Sequence, residues 1–150
     1  MNILIIHGPN LNFLGRREPE IYGRLTLKEL NGLIKKYAAS KKAKVRIFQS
    51  NCEGGMIDLI ATNMDWADRL IINPAAYTHY SYAIRDAITA SGLPAVEVHL
   101  SDIAKREPFR RTSVTAPACV KVIKGLGLGS YLKALDFCLL RPGENEKNRN

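Results

Sequence analysis

The sequence contains only three cysteines, Cys52, Cys119 and Cys138, and no two of them form a CxxC pair. An odd count at wide spacing supports neither a disulfide framework nor a zinc site. Reduced thiols in a cytoplasmic protein are the simplest reading. Long apolar runs are also missing. The first one covers residues 3–6 and is stopped by His7 and Gly8; it is too short for a signal peptide, and nothing approaches the length of a membrane span. No GxxxxGK[ST] loop, HExxH pair or GxSxG elbow occurs, which removes the P-loop, zincin and serine-hydrolase readings. No zinc-finger, RNP-like or GxxG signature supports a nucleic-acid partner. The segment GLGLGS at 125–130 departs from GxGxxG at Ser130, and the chain ends where the acidic partner of a dinucleotide site would stand. Close packing of a helix on the sheet is the expectation for it.

What is present is ordinary for a globular chain. The 150 residues suit one domain, with 46% hydrophobic and 24% charged residues. A chain of this size buries roughly 70% of its unfolded surface and needs no covalent staple. The formal net charge is +8. Such a balance fits a nucleic-acid surface, attraction of anionic ligands, or simply a solvated face. Much of the charge lies in LIKKYAASKKAKVR, on an expected helix and the turn after it, where the solvated face is the plainer reading.

Hydrophobic periodicity predicts five strands, at 2–7, 44–50, 69–73, 95–100 and 119–124. Helices are expected at 27–39, 57–66, 80–91 and 131–140. Thr26 with Glu29 three residues on is a capping box for the first, and Gly92 with Pro94 closes the third. Alternation of strand and helix predicts an α/β, doubly wound parallel sheet, flavodoxin-like, with strand order 2-1-3-4-5. Residues 1–140 form a single catalytic domain, and the polar, Gly/Pro-punctuated stretch 141–150 reads as a flexible tail.

In such a fold ligands bind beyond the carboxyl ends of the strands. The first strand is followed by Asn10, Asn12, Arg17 and Tyr22, and the second by Asn51 and Glu53. The third ends in Asn73, then Tyr77 and His79; the fourth carries Glu97, His99 and Ser101, with Arg106, Arg110 and Arg111 beyond. Polar residues gathered on one rim from four loops point to a site for proton chemistry. His99 fits a general acid or base, or a structural histidine satisfied by hydrogen bonds. Tyr22 is either a surface tyrosine or a base whose pKa, near 10 when free, is lowered by Arg16 and Arg17. Cys52 is a candidate nucleophile or a plain thiol, and no neighbour in sequence marks it.

HGPNLNFLGRREPEIYG, FQSNCEG, IINPAAYTHYSYAIRDA and VEVHLSDIAKREPFRRTS, in this order, resemble type II 3-dehydroquinase (3-dehydroquinate dehydratase). The resemblance runs to about residue 135. It implies a flavodoxin-like fold, no cofactor and no metal, trimers assembled into a dodecamer, and conversion of 3-dehydroquinate to 3-dehydroshikimate and water. That is the anti elimination, through an enolate, of the shikimate pathway and of quinate breakdown. By resemblance, Tyr22 is the proton acceptor and Arg17 stabilises its phenolate, both on a mobile lid. Asn10 holds a water against the enolate. His99 is the proton donor, and Glu97 orients its ring. Asn73, the Leu100 backbone and the Ser101 hydroxyl bind the substrate carboxylate, His79 and Arg110 hold ring hydroxyls, and Arg106 is a further site arginine.

Asp86 lies seven residues after His79, which on one helix means a separation of about 10 Å along the axis. Both are hard to bring to one small ring within a chain, and the resemblance implies that Asp86 serves the neighbouring subunit's site. The chain departs from the family's usual residues at His7, Arg16, Cys52, Gly55 and Ala75. Ala75 is expected to strain its turn if φ is positive there, and Gly55 to loosen the start of the second helix. Two other classes remain, a flavin- or nucleotide-binding module suggested by residues 125–130 and a nucleic-acid surface suggested by the +8 charge.

Overall fold

The computed structural model of the chain describes residues 1–16 and 24–140. Arg17, Tyr22 and the tail 141–150 lie outside the described residues. Five parallel strands, β1 (Asn2–His7), β2 (Lys44–Gln49), β3 (Arg69–Asn73), β4 (Ala95–His99) and β5 (Lys121–Lys124), form one sheet in the order β2-β1-β3-β4-β5. This is the expected order. Four helices cover its two faces: α1 (Leu27–Ser40), α2 (Glu53–Asn63), α3 (Tyr82–Ser91) and α4 (Leu128–Leu139).

The strands are apolar without alternation because both sheet faces are buried. On one face Ile3, Ile5, Ile71, Val96 and Val98 pack against Leu30 and Ile34 of α1 and Tyr131, Ala134 and Leu135 of α4. On the other Leu4, Ile6, Leu70 and Ile72 meet Met56 and Ile60 of α2 and Ile84 and Ile88 of α3. Each such side chain contributes about 1.5–3 kcal/mol by leaving water. The strands β1 and β3 are each paired on both sides, so their carboxyl ends, at His7 and Asn73, lie inside the sheet. Those two residues are paired across the ladder.

Local chemistry explains the element ends. The capping box at α1 is formed: Thr26 Oγ1 accepts from the Glu29 N–H at 3.2 Å, and Glu29 Oε2 accepts from the Thr26 N–H at 2.8 Å. Helix α2 begins at Glu53 rather than 57 and ends at Asn63 rather than 66. Gly54 and Gly55 disfavour a helix by propensity, but tertiary contacts override it. Ser81 Oγ donates to Glu53 at 2.5 Å, and a Cβ on Gly55 would lie 2.6 Å from Ser50 Oγ, which itself bonds the Cys52 backbone. Gly55 therefore permits the tight turn into α2 rather than loosening it. Helix α3 begins at Tyr82, capped by Ser81, whose Oγ accepts from the Ile84 N–H at 3.0 Å. His79 belongs to a separate one-turn element, Ala75–His79, so the helical spacing assumed between His79 and Asp86 does not apply. Helix α4 starts at Leu128, earlier than expected, because the glycine segment serves its packing. Ser130 Oγ is buried, donates to the His99 carbonyl at 2.9 Å and accepts from the Leu126 N–H at 3.2 Å. Strand β5 starts at Lys121 because the Cys119 N–H is engaged by the Ala116 carbonyl in a turn.

Two neighbouring positions at the β1 and β3 ends carry opposite backbone demands. The Gly8 N–H donates to the Asn73 carbonyl at 2.7 Å, and a Cβ on Gly8 would sit 2.7 Å from Asn73 and Pro74 backbone atoms. Ala75 adopts φ 52°, the left-handed conformation that disfavours a side chain, as expected if this turn requires positive φ. Ala75→Gly is expected to raise stability by about 1 kcal/mol, and Gly8→Ala to lower it by about 2 kcal/mol or more. Urea unfolding checks both, with midpoints moving in opposite directions at unchanged slope.

Candidate active site

The carboxyl ends of β1, β3 and β4 open onto a cavity of about 150 Å³. Asn10, Asn73, His79, His99, Leu100, Ser101, Arg106 and Arg110 line it, together with the apolar Leu11, Leu14 and Ile103. Eight of the residues singled out from the sequence thus meet at one place. Among the described residues, no carboxylate lines the cavity. Two arginines, two histidines, two asparagines and a serine make a wall suited to a small anion carrying hydroxyl groups.

The deepest feature lies just behind His99. Glu97 is fully buried on β4. Its Oε1 accepts from Thr78 Oγ1 at 2.7 Å, Ser113 Oγ at 2.9 Å and His99 Nε2 at 2.7 Å, and its Oε2 accepts from Thr115 Oγ1 at 2.6 Å. Burial alone would push this carboxyl up. The bond to His99, the positive charge that ring can carry, and the Thr115 and Thr78 hydroxyls outweigh it and hold Glu97 below the usual carboxylate range. The ionised carboxylate fixes the His99 ring with Nε2–H inward, which leaves Nδ1 as the ring nitrogen available to the cavity. Thr78, Ser113 and Thr115 were not singled out in the sequence, where an isolated hydroxyl carries no periodic or motif signal.

His79 is set the opposite way round. Its Nδ1 donates to the Thr112 carbonyl at 2.7 Å, which leaves Nε2 as the ring nitrogen available to the cavity. Asn73 is almost completely buried, and its Oδ1 accepts from the Ala75 N–H at 3.1 Å. Its amide NH2 is thereby turned away from the turn as a donor. Asn10 takes a left-handed φ of 66°, and its N–H donates to Asn51 Oδ1 at 2.9 Å. Asn51 is further held by Gln49 Nε2 at 2.8 Å, and its carbonyl accepts from the Tyr77 hydroxyl at 3.0 Å. Asn51, Tyr77 and Glu53 therefore brace the rim rather than line the cavity. Arg106 and Arg110 flank Glu107 through ion pairs of 3.4 and 3.3 Å. Arg110 Nε is buried without an aligned hydrogen bond, and its guanidinium lies over the Phe109 ring at 4.9 Å.

Asp86 does not line the cavity; it is exposed on α3. The three thiols are free, and burial pushes Cys119 and Cys138 up to about 12, Cys119 with a further push from the Glu97 charge. Neither is a nucleophile at neutral pH. Among the described residues, no three His, Cys, Asp or Glu side chains cluster as metal ligands, and no helix is long and apolar enough to cross a membrane.

The Glu97 cradle makes a pH prediction. A folded-state pKa held below the unfolded value contributes stability above the unfolded pKa, and that contribution is lost as pH falls through the folded one. Thr115→Val removes one donor to a buried charge and should cost about 2 kcal/mol at pH 7. The difference from the unsubstituted protein should shrink as pH falls below the unfolded carboxylate value. Denaturant midpoints measured from pH 7 down to about pH 3, below the unfolded carboxylate value, check the sign.

Comparisons with known proteins agree with this fold. Residues 1–139 match the family described as Dehydroquinase class II. The chain is 53% identical over 140 residues to the 3-dehydroquinate dehydratase of Dictyoglomus turgidum, covering 93% of this chain and 97% of the relative. It is 48% identical over 150 residues to that of Roseiflexus castenholzii, covering 100% and 96%. The crystal structure of a type II dehydroquinase from Butyrivibrio crossotus superposes with a TM-score of 0.90 at 48% identity, covering 92% of this chain and 97% of that one. Fold and sequence similarity agree, and the chain belongs to the class II dehydroquinase family.

Proposed function

We propose that the protein is a 3-dehydroquinate dehydratase, eliminating water from 3-dehydroquinate to give 3-dehydroshikimate. The observation that carries this reading is the cavity lined by arginine, histidine, asparagine and serine side chains, with the buried Glu97–His99 pair behind it. The substrate offers one carboxylate, ring hydroxyls and a ketone, and the cavity offers a complement for each.

Tyr22, the base, takes a proton from the carbon alpha to the ketone, and Arg17 favours its phenolate; these two roles rest on the resemblance. The electron pair moves onto the ketone oxygen as an enolate, which a water held by Asn10 stabilises as an oxyanion. Collapse of the enolate breaks the bond to the leaving hydroxyl. His99 gives that hydroxyl a proton from Nδ1, so water departs. Because the Glu97 carboxylate accepts Nε2–H whether or not the ring is charged, the proton given up is the one facing the cavity, and Glu97 acts by orientation. The Asn73 amide NH2, the Leu100 backbone and the Ser101 hydroxyl take the substrate carboxylate. His79 Nε2 accepts from a ring hydroxyl, Arg110 donates to another, and Arg106 adds positive charge. Asp86 serves the site of a neighbouring subunit within a trimer, and four trimers make a dodecamer. The enzyme needs no cofactor or metal ion and works in the cytoplasm on the shikimate pathway.

A flavin or nucleotide reading is weakened by the packing role of residues 125–130, whose Ser130 hydroxyl is spent on the His99 carbonyl. Purified protein with 3-dehydroquinate and a chelator should produce an enone absorbance in the near ultraviolet. His99→Ala and Tyr22→Phe should each lower kcat by roughly 100-fold or more while circular dichroism stays unchanged. Near-normal turnover in a folded variant would remove that residue from its role.

A further inference from the structure

Behind the cavity wall, on the sheet face covered by α1 and α4, a second polar group is buried that the reaction does not touch. His7, at the end of β1, is fully inaccessible, as is Tyr131 of α4, and Asn73 nearly so. His7 Nε2 lies 2.8 Å from Asn31 Oδ1, and His7 Nδ1 lies 2.7 Å from the Tyr131 hydroxyl. Asn31 Oδ1 only accepts, so Nε2 carries the ring proton. Nδ1 is therefore the acceptor and the Tyr131 hydroxyl the donor. Desolvation by burial lowers His7 to about 4 against the smaller raising effect of Asn31, which keeps the ring neutral and Nδ1 open at neutral pH. Burial pushes Tyr131 up, and the neighbouring Asn73 side chain acts in the opposite sense. Since Asn73 Oδ1 is taken by the Ala75 N–H, the group it has left to offer is the amide NH2. The protons of the two ring bonds point the same way, from Tyr131 to His7 to Asn31.

We propose that His7 is a positioning residue for substrate binding, its Nδ1 drawing the Tyr131 proton away from Asn73 so that the Asn73 amide presents NH2 rather than oxygen to the cavity. A Tyr131 hydroxyl without this acceptor turns its proton toward Asn73 and competes with the orientation that donates to an anion. The inference rests on the reading of Asn73 as a carboxylate-binding residue. It locates the requirement at one atom, which two substitutions separate. The Asn amide oxygen occupies roughly the place of imidazole Nδ1, and the Gln amide nitrogen roughly that of Nε2. His7→Asn keeps the acceptor for Tyr131, whereas His7→Gln keeps the donor to Asn31 and loses the acceptor.

The test is steady-state kinetics with 3-dehydroquinate on the full chain. His7→Gln should raise KM roughly fivefold with kcat nearly unchanged, because uniform binding is lost, and His7→Asn should restore KM. In an Asn73→Ala background, His7→Gln should add nothing further to KM. Equal KM in the Asn and Gln variants, a loss confined to kcat, or additivity with Asn73→Ala would each overturn the proposal. If the unsubstituted protein does not dehydrate 3-dehydroquinate, the proposed function falls and the relay is still decided by nitrogen NMR of labelled histidine. An unprotonated His7 Nδ1 that shifts on Asn73→Ala is the expected result, and a protonated Nδ1 would overturn it.

Discussion

A carboxylate with no access to water must be given hydrogen-bond donors or give up its charge, and Glu97 imposes that condition on this molecule. Its four donors come from three separate parts of the chain: the turn at Ala75–His79, the segment carrying Ser113 and Thr115, and His99 on its own strand. Meeting them ties the connection after β3 to the approach to β5, and the Val114 N–H adds a bond of 2.7 Å to the Thr78 carbonyl. The cavity wall therefore follows from the electrostatics of one buried group. His79 is carried on the same turn as Thr78, and its Nδ1 is bonded to the Thr112 carbonyl, so the orientation of the second histidine depends on the same segments.

The two histidines at the cavity show how one residue type is given opposite tasks by its second nitrogen. A carboxylate on Nε2 of His99 leaves Nδ1 as the nitrogen without a partner in the chain, and a carbonyl on Nδ1 of His79 leaves Nε2 in that position. The third, His7, is kept neutral by burial and serves only as a link. Tautomer, fixed by neighbours rather than by sequence position, separates the three roles.

Much of this was legible in the sequence. The boundaries of β1 and β3, the strand order and the gathering of Asn10, Asn73, His99 and Arg110 on one rim follow from apolar runs and the rule for parallel sheets, because both rest on local patterns. The cradle around Glu97 was not legible, since Thr78, Ser113 and Thr115 are distant from it in sequence and meet it only through the fold. The start of α2 was missed because Gly54 and Gly55 score poorly as helix formers while Ser50 and Ser81 supply the contacts that offset them. The spacing argument for His79 and Asp86 failed because Ser81 caps a new helix between them. His7 looked like a simple replacement at a strand end; its pairing with Asn31 and Tyr131 joins positions 24 and 124 residues away.

The three thiols differ sharply in their surroundings. Cys119 and Cys138 are held as neutral groups with values near 12, and Cys138 is also inaccessible. Cys52 is exposed at the start of α2, next to Asn51, which in turn grips the Asn10 backbone. The natural chain thus already has one selective attachment point for a maleimide fluorophore or spin label, a single bond away from the segment that braces the cavity, and needs no cysteine removed to use it.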